Sequence, residues 1–358
     1  MKRRLILVIN PGSTSTKFAI FAEKELVFDK SLHHTPEELS PYARITDQFS
    51  FRKELILKEI ETYKIDCGDI AAVVGRGGLI KPIESGVYIV NDKMKNDLIN
   101  SPFGEHASNL GGLIADDIAS NLPKAAAYIV DPVVVDELQP VARVSGHPDL
   151  DRISIFHALN QKAVARNYAD SEGRIYEDLN LIVAHMGGGI SVGAHCKGKV
   201  IDVNNAFGGD GPFSPERAGG LPSNQLAELC FSGKYSKEEV KAMLIGKGGM
   251  VAYLGTNNFR KVCEMAENGN NEAILVRDAI AYQIAKEIGS MAAVLKGKID
   301  AIILTGGLAF EESHNQRIKD LVGYIGKIVV YPGEDELSSL AFNGLLALDG
   351  KVKIREYS

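Results

Sequence analysis

An internal repeat is the feature of this sequence that most restricts its fold. Leu5 to Ile9 is an apolar run closed by a Pro-Gly turn, and a polar loop, a second apolar run, a turn and a third β-type run follow it. The same order returns from Leu181 to Val203, with Gly187 in the place of Gly12. Short apolar runs bounded by turns indicate buried strands. Each half of the chain is therefore predicted to contain strand, loop, strand, turn and strand.

A second pair of matching segments supports the duplication. IAAVVGRGGL (Ile70 to Leu79) and IDAIILTGGL (Ile299 to Leu308) are both apolar runs that end in Gly-Gly-Leu. Two motifs in the same order in both halves indicate a repeated architecture. Apolar residues at three- and four-residue spacing predict helices, and these segments are Phe51 to Tyr63, Ala107 to Ala119, Ile155 to Tyr168 and Ala273 to Leu295. Strands that alternate with helices predict the α/β class.

The length of the chain predicts two domains. A chain of 358 residues exceeds what one ordinary hydrophobic core serves. The first domain is predicted at residues 1–150 and the second at 151–337, with the junction in the polar, Pro-containing segment Arg143 to Arg152. A C-terminal helix from Ser338 to Leu348, within residues 338–358, is predicted to pack back on the first domain.

Composition excludes several classes of protein. The hydrophobic fraction of 45% and the charged fraction of 24% are typical of soluble globular proteins, and a net charge of −6 disfavours nucleic acid as the main partner. The four cysteines are far apart and form no C-x-x-C pair, which predicts reduced thiols rather than disulfides or a zinc site. The first apolar run is too short for a signal peptide, and no run approaches the ~20 apolar residues of a membrane span. We therefore expect a cytoplasmic protein.

The loop GSTSTK (Gly12 to Lys17) suggests a phosphate site. It is not a Walker-type P-loop, because the second glycine is missing and a strand follows instead of a helix. A polar turn remains the alternative for one such loop taken alone. The matching loop HMGGG (His185 to Gly189) favours a pair of hairpin loops whose backbone N–H groups and hydroxyls bind a polyphosphate. Thr305 to Leu308, at the end of a predicted strand, suits adenosine or its phosphates.

Several motifs carry a family resemblance across nearly the whole chain. INPGSTSTK resembles the first loop of acetate and propionate kinases. The segments that resemble the butyrate kinase branch of this acetokinase family are HASNLGG, IVDPVVVDE, SIFHALNQ, VAHMGGGIS and DGPFSPERAGGLP. The acetate branch is expected to have FHGTSH in place of FHALNQ and HLGNG in place of HMGGG. The chain thus resembles the butyrate kinase branch, with its branched-chain fatty-acid relatives.

The resemblance implies a fold and a reaction. The fold is the duplicated actin-like, ribonuclease H-like ATPase fold of class α/β, with two domains and the active site in the cleft. The reaction is the reversible, Mg²⁺-dependent transfer of phosphate from ATP to a short-chain carboxylate, by direct in-line attack. The partners implied are the acid, ATP or ADP, and further copies of the chain in a homodimer or higher homo-oligomer, with no nucleic acid and no membrane.

Catalytic roles follow from the resemblance for five residues. It implies that Arg76, in VGRGG, holds the substrate carboxylate with its planar guanidinium. Arg217, in SPERAGG, would stabilise the transferring phosphoryl group, and His157, in IFHALNQ, would donate to its oxygens. His106 would donate to the substrate or support the site, and Asp131 would orient Arg76 or a metal-bound water.

The resemblance also implies residues for nucleotide and metal. The nucleotide-binding residues are Asn10, Ser13, Thr14, Ser15, Lys17, His185, Gly187, Gly188, Gly189, Asn258, Phe259, Arg260, Gly306, Gly307 and Glu311. Asn258 departs from the aspartate expected in the acetate branch, and Gly188 replaces that branch's asparagine. Asn10 and Glu336 are the implied Mg²⁺ ligands, directly or through water, with Glu334 and Asp335 as alternatives to Glu336.

The sequence also allows alternative functions. An acetate or propionate kinase is the nearest alternative, and an actin-like ATPase without a small-acid substrate comes from a different class. A metal-dependent relative is disfavoured, because no second histidine stands at ligand spacing in the first half. The histidines without a matching motif are expected to be solvated or structural; they are His33, His34, His147, His195 and His314.

Overall fold

The computed structural model describes residues 4–358. The chain forms two compact units: the first contains the chain up to Val135 together with Asp335–Ser358, and the second is Asp136–Glu334. The C-terminal segment therefore folds with the N-terminal part of the chain. Each unit has its own sheet and helices, and the four cysteines are free.

The first unit is built on one mixed sheet. Its strands in the described part of the chain are β1 (Leu5–Pro11), β2 (Ser15–Ala22), β3 (Glu25–His33), β4 (Ile70–Arg76), β5 (Val87–Ile89), β6 (Ala126–Val130) and β12 (Ile354–Glu356). They lie in the order β12-β5-β6-β4-β1-β2-β3. β1 runs antiparallel to β2 and parallel to β4. β1 is buried on both faces, as its continuous apolar sequence predicts.

Helices cover this sheet. They are α1 (Pro36–Leu39), α2 (Phe49–Thr62), α3 (Asp92–Asn100), α4 (Asn109–Ser120) and α13 (Glu336–Leu348), with 3₁₀ turns at Ile45–Gln48 and Cys67–Asp69. α13 packs on β1 and β4, and α4 packs on β4 and β6. Ile56 of α2, Ile114 of α4 and Ile9 of β1 are fully buried in one hydrophobic core.

The second unit has a smaller sheet. Within residues 4–358 its strands are β7 (Asn180–Met186), β8 (Ile190–Cys196), β9 (Lys199–Val203), β10 (Ala301–Gly306) and β11 (Ile328–Pro332), in the order β11-β10-β7-β8-β9. Its helices are α5 (Pro140–Arg143), α6 (Ala158–Ser171), α7 (Ser223–Phe231), α8 (Lys237–Leu244), α9 (Met250–Leu254), α10 (Phe259–Glu267), α11 (Asn271–Val294) and α12 (Glu312–Val322), with 3₁₀ turns at Tyr176–Asp178 and Gly307–Phe310.

Both faces of the second sheet are covered. Ile280, Ile284 and Ile288 repeat every fourth residue along α11, and they are buried in the same core as Ile182 of β7. Val183, the next residue of β7, is buried in a separate core with side chains of α6. Alternate residues of β7 thus serve two cores, which explains the unbroken apolar run.

The two sheets repeat one pattern, so the predicted duplication is confirmed. β6-β4-β1-β2-β3 and β11-β10-β7-β8-β9 have the same order of strands. In the first set, β1 is antiparallel to β2 and parallel to β4. In the second set, β7 is antiparallel to β8 and parallel to β10. β4 and β10 are the strands that lead into the two Gly-Gly-Leu motifs. The α/β class predicted from alternating strands and helices is observed.

The segment expected to join the domains lies inside the second unit. Arg152 donates to Asp202 Oδ1 at 2.9 Å, and the backbone N–H of Gln139 donates to the carbonyl of Ile201 at 3.0 Å. Lys162 Nζ lies 2.7 Å from Glu137 Oε2 in a buried ion pair. These contacts attach residues after Val135 to β9 and α6. The division of the chain therefore falls at Val135, before the polar segment Arg143 to Arg152.

Small residues set the position of the Arg76 backbone. α4 crosses the end of β4 so closely that a Cβ added to Gly75 would overlap the carbonyl oxygen of Gly111. A Cβ on Gly111 would in turn overlap the carbonyl oxygen of Arg76. The contact is between backbone atoms, which have little freedom to move aside. Glycine at both positions is needed to hold α4 against this strand.

We predict that Gly75→Ala lowers the free energy of unfolding by ~1–3 kcal/mol, because the added methyl group forces α4 away from β4. Gly289→Ala is the matched control. Gly289 lies within α11, and its added Cβ would have no neighbour within 4 Å. That substitution should raise stability by up to ~1 kcal/mol, since alanine is the better helix former. Urea unfolding measures both, and equal stabilities for the two variants would contradict the packing argument.

Candidate active site

The first hairpin loop is held from beneath by a buried arginine. Arg52, on α2, is fully buried, and its guanidinium donates to the carbonyl oxygens of Gly12 and Ser15 at 2.8 Å and of Ser13 at 3.1 Å. Its remaining donors reach Thr16 Oγ1 and Gln48 Oε1. Burial lowers the pKa of Arg52 to about 10. The sequence interpretation missed Arg52, although Gln48 and Arg52 form a polar i, i+4 pair on the inner face of α2.

This arrangement gives the loop an anion-binding face. In a trans peptide the N–H points opposite to the carbonyl of the preceding residue. The amides of Ser13 and Thr14 therefore face away from Arg52, and neither has a backbone hydrogen bond among residues 4–358. Consecutive outward N–H groups form the concave sites that bind anions. Lys17, the cross-strand neighbour of Asn10, is exposed on β2.

Asn10, Arg76 and Glu336 come together at the edge of the first sheet. Asn10 is the residue before the last of β1, Arg76 ends β4, and Glu336 begins α13. Arg76 Nη1 lies 3.1 Å from Glu336 Oε2 and 3.2 Å from Asn10 Oδ1, and Asn10 Nδ2 donates to Glu336 Oε2 at 2.5 Å. The side chains of Arg76 and Glu336 are 23% and 13% exposed. Arg76 thus holds a carboxylate already, and that carboxylate belongs to the protein.

The structure separates the three acidic candidates for the metal. Glu336 contacts Asn10 and Arg76 in the first unit. Asp335 caps α13 by accepting from the Ser338 N–H at 3.1 Å. Glu334 belongs to the second unit, where its Oε1 lies 3.0 Å from His185 Nε2. Glu336 is therefore the carboxylate that shares its surroundings with Asn10.

Asp131 and His106 are held by their own local contacts. Asp131 is buried with a positive φ of 37°, and its Oδ1 accepts from Ser85 Oγ at 2.6 Å and from the Gly86 N–H at 2.8 Å. His106 precedes α4, and its Nδ1 accepts from the Ser108 N–H at 3.2 Å. That bond leaves the ring proton of a neutral His106 on Nε2. The contact predicted between Asp131 and Arg76 stays a prediction.

The second hairpin loop borders a cavity of about 380 Å³ in the second unit. Predicted nucleotide residues from three segments line it: Gly187, Gly188, Asn258, Phe259, Arg260, Gly307 and Glu311. Leu308, which ends the segment predicted to suit adenosine, and Glu334, an alternative metal ligand, also line it, and the lining residues that the sequence interpretation missed are Pro215, Glu216 and Asn257. Asn258 also caps α10 by accepting from the Lys261 N–H at 3.0 Å. The volume falls in the range of small-molecule sites.

Two histidines stack next to this loop. The rings of His157 and His185 are 3.8 Å apart and nearly parallel, at 13°. His185 Nδ1 donates to Asn160 Oδ1 at 2.8 Å, and its buried Nε2 lies 3.0 Å from Glu334 Oε1. His157 Nδ1 lies 2.9 Å from Ser191 Oγ. Gly187 lies against this pair, because a Cβ there would be 2.9 Å from Glu334 Oε1 and 3.0 Å from His185 Nε2.

Residues 152–325 match the acetokinase family. This acetokinase segment contains the stacked histidines, the loop from Gly187 to Gly189, Arg217 and all of the cavity lining except Glu334.

The fold is that of solved carboxylate kinases. The chain is similar to acetate kinase from Porphyromonas gingivalis, with a TM-score of 0.78, 19% identity, and coverage of 96% of this chain and 100% of that chain. A propionate kinase from Francisella tularensis has a TM-score of 0.71, 19% identity and coverage of 95% and 98%. A ROK hexokinase from Thermus thermophilus has a TM-score of 0.52, 12% identity and coverage of 97% and 99%. The predicted actin-like ATPase fold is confirmed.

Within the acetokinase segment, Arg217 is a half-buried cation. Its Nη1 donates to the carbonyl of Ala206, and its guanidinium lies 5.3 Å from the Phe207 ring centroid. Burial lowers its pKa, and no carboxylate of the second unit forms an ion pair with it in the described residues. Gly189 leaves room for this guanidinium, because a Cβ there would overlap Nη1. An anion next to Arg217 would supply the missing counter-charge.

The residues present fit a nucleotide and a magnesium ion. The open space beside Gly307 and the half-buried guanidinium of Arg217 next to Gly189 suit a phosphate-bearing ligand at the loop. The donor set of Asn10 and Glu336 supplies the oxygens that Mg²⁺ prefers. Within residues 4–358 no group of three or more His, Cys, Asp or Glu side chains could hold a metal alone. A magnesium ion would therefore depend on substrate phosphates and water for its other ligands. None of the described helices is long and apolar enough to cross a membrane.

A cluster of carboxylates lies beside the loop that leads to Arg217. Arg152 Nη1 lies 2.9 Å from Asp202 Oδ1, and its Nε lies 3.7 Å from Asp210 Oδ2. Glu287, on α11, is close enough to be influenced by both aspartates. Burial, followed by the charge of Asp210, raises the pKa of Glu287 from 4.5 to about 7. One arginine thus serves three carboxyl groups, and Glu287 keeps its proton up to near-neutral pH.

We predict a pH-dependent gain in stability for Glu287→Gln. The folded protein binds the Glu287 proton more tightly than the unfolded chain, so wild-type stability falls as pH rises from 4.5 to about 7. The glutamine variant has no proton to lose there. It should match the wild type below pH 4.5 and exceed it by up to ~3 kcal/mol above pH 7. Denaturant unfolding at a series of pH values measures this, with the exposed Glu267→Gln as control, and parallel curves for both variants would contradict it.

Proposed function

We propose that the chain is a butyrate-type carboxylate kinase, which transfers the γ-phosphoryl group of ATP to butyrate or a similar short or branched fatty acid, reversibly. The observation that carries the proposal is that the acetokinase segment contains the glycine-bordered cavity, the stacked histidines and the uncompensated charge of Arg217. The butyrate branch is favoured by the motifs FHALNQ and HMGGG. We further propose a cytoplasmic homodimer or higher homo-oligomer.

Arg76 is the proposed ligand of the acid. A guanidinium that already binds one carboxylate, that of Glu336, has the geometry to bind another in its place. When the substrate takes this position, Glu336 remains beside Asn10, and these two residues would hold the magnesium ion. The bound metal neutralises negative charge on the phosphates. His106, in the motif HASNLGG, and Asp131, in the motif IVDPVVVDE, are proposed to support binding of the carboxylic acid substrate.

The loop and the cavity are proposed to bind the nucleotide. The N–H groups of Gly188 and Gly189 would donate to the phosphates, and the segments at Asn258 and Gly307 would contact the nucleoside. Ser13, Thr14, Ser15 and Lys17 of the first loop are proposed to donate to phosphate oxygens. Glycines suit this task because backbone can approach phosphate closely only where no side chain intervenes.

The reaction is a direct displacement. An oxygen of the carboxylate attacks the γ-phosphorus, and the new O–P bond forms as the bond from that phosphorus to the bridging oxygen breaks. ADP leaves with the bond electrons, and no proton has to be transferred. Arg217 and the Nε2–H of His157 would stabilise the oxygens of the phosphoryl group during its transfer from ATP to the carboxylate. The positioning of the two substrates supplies the rest of the rate acceleration.

An acetate or propionate kinase is the second candidate, favoured by the solved structures that share the fold. A hydroxamate assay of acyl phosphate formation over straight and branched acids from acetate to valerate decides between them. We predict the highest kcat/KM for butyrate or isobutyrate. A maximum at acetate or propionate would support the second candidate, and ATP hydrolysis without acyl phosphate would support an actin-like ATPase.

We predict that Arg76→Ala lowers kcat/KM for the acid by ~100-fold or more, because a charged, two-pronged donor to the carboxylate is lost. Arg76→Lys should recover only part of this, since lysine lacks the planar fork. ADP affinity, measured by calorimetry, should change little in both variants. Arg4→Ala is the control, because Arg4 forms an exposed pair with Glu23 in the same unit. Normal turnover of butyrate by Arg76→Ala would refute the assignment.

A further inference from the structure

A chain of hydrogen bonds runs through the interior of the second unit and ends at His157. Tyr176 Oη lies 2.6 Å from His195 Nδ1, and His195 Nε2 lies 2.9 Å from Gln161 Oε1. Gln161 Nε2 donates to Ser191 Oγ at 2.8 Å, and Ser191 Oγ lies 2.9 Å from His157 Nδ1. Gln161, Ser191 and His195 are fully buried. The first four residues of this chain have no assigned role.

Four of the five residues in this hydrogen-bonded chain come from two elements of the acetokinase segment, and Tyr176 comes from a 3₁₀ turn. His157 and Gln161 are four residues apart at the start of α6, and so share one face of the helix. Ser191 and His195 are four residues apart on β8, and so share one face of the strand. Gly193 lies between them, where a Cβ would come within 2.6 Å of Gln161 Oε1. The two faces interlock: Gln161 bridges Ser191 and His195, and Ser191 bridges Gln161 and His157.

A backbone carbonyl fixes the direction of the chain. Gln161 Nε2 lies 3.0 Å from the carbonyl oxygen of Ser191, which can only accept. The amide of Gln161 must therefore turn its NH₂ group toward Ser191 and its oxygen toward His195. Full burial and the charge of Lys162 hold the pKa of His195 well below its usual value, so His195 carries one ring proton. That proton lies on Nε2, facing Gln161 Oε1, and Nδ1 accepts from Tyr176.

The hydroxyl proton of Ser191 then needs an acceptor. The hydroxyl oxygen accepts an N–H of Gln161, and within residues 4–358 the structure shows no acceptor for its proton other than His157 Nδ1. If His157 were protonated on Nδ1, two donors would face each other or the buried hydroxyl proton would lose its acceptor. Either arrangement is costly for a fully buried hydroxyl. His157 Nδ1 is therefore the acceptor.

We infer that Ser191, Gln161 and His195 are positioning residues that hold the His157 imidazole neutral, with its proton on Nε2. This inference rests on the proposed function, in which His157 donates to the transferring phosphoryl group. A neutral Nε2–H donor needs no proton transfer and keeps its orientation through the reaction. The stacked ring of His185, with its own Nδ1–H bound to Asn160, adds to the rigidity of the donor.

The test reads the tautomer directly. In the full-length chain labelled with ¹⁵N-histidine, the ring-nitrogen shifts of His157 at pH 7.5, without substrates, should show a bare Nδ1 and a protonated Nε2. The spectrum of His157→Asn identifies the signals. A wild-type His157 that carries its proton on Nδ1, or on both nitrogens, would overturn the inference whatever the variants do.

Two variants in the chain should change the tautomer. Ser191→Ala removes the donor to Nδ1, so both tautomers should appear, and kcat should fall ~10- to 100-fold with the KM for ATP within ~2-fold. Gln161→Glu replaces the NH₂ group by an acceptor of the same shape, which turns the Ser191 hydroxyl around and should move the His157 proton to Nδ1. Unchanged ring-nitrogen shifts in both folded variants would overturn the inference, and the wild-type spectrum still decides if neither variant folds.

Tyr176→Phe is the matched control within the same chain. It removes the terminal hydroxyl, but the carbonyl of Ser191 still fixes Gln161, so the His157 tautomer should stay as in the wild type and kcat within ~2-fold. A role in packing alone predicts no tautomer change in any variant. Because the spectra need no substrate, failure of acyl phosphate formation would refute the proposed function and leave the tautomer result intact. The wrong tautomer in an active kinase would refute only this inference.

Discussion

The parallel pairing of two strands in each unit determines where the chemistry lies. β1 and β4 run side by side in the same direction, so Asn10 and Arg76 leave the first sheet at the same edge. β7 and β10 are paired in the same way, with His185 directly opposite Thr305. In each unit, the loops that follow these two paired strands therefore begin side by side. Hydrophobic cores on both faces of the central strands keep the pairing in register.

Buried positive charge is distributed unevenly among three arginines. Arg76 is neutralised by Glu336, whereas Arg52 is surrounded by neutral carbonyl and amide oxygens and Arg217 by one carbonyl and an aromatic ring. Desolvation of an arginine without a carboxylate is costly, and both such arginines show the effect as a lowered pKa. Both lie next to hairpin loops that offer backbone N–H groups. The protein thus keeps uncompensated charge where an anion is expected to bind.

Much of the fold could be predicted from the sequence, because apolar runs and turns specify strands directly. The hairpins β1–β2 and β7–β8 and the helix α11 lie close to their predicted bounds. The family resemblance implied Asn10 and Glu336 as metal ligands; the two side chains are in contact, and their role toward a metal stays a prediction. The predicted junction at Arg143 to Arg152 was placed by its polar composition, yet ion pairs bind this segment to the second unit. Composition alone does not distinguish a solvated polar segment from one held by specific partners.

The side-chain networks were beyond prediction for a physical reason. A periodic pattern reports which positions are apolar, and a buried polar residue simply interrupts that pattern. Arg52 therefore resembled a solvent-facing residue of α2, and His195 was expected to be solvated or structural, although both are fully buried. Their partners are distant in sequence or depend on the direction of one amide. Only the three-dimensional arrangement shows that Gln161 joins α6 to β8.

The arginine beneath the first loop has a consequence for the cost of ligand binding. A hairpin loop of small hydroxyl residues would normally sample many conformations, and a ligand would have to select one of them at an entropic cost. The donors of Arg52 hold the backbone carbonyls of Gly12, Ser13 and Ser15 in place before any ligand binds. The entropy of ordering is lost during folding, when the burial of α2 offsets it. The loop can therefore consist of small, flexible residues and still hold a single backbone conformation.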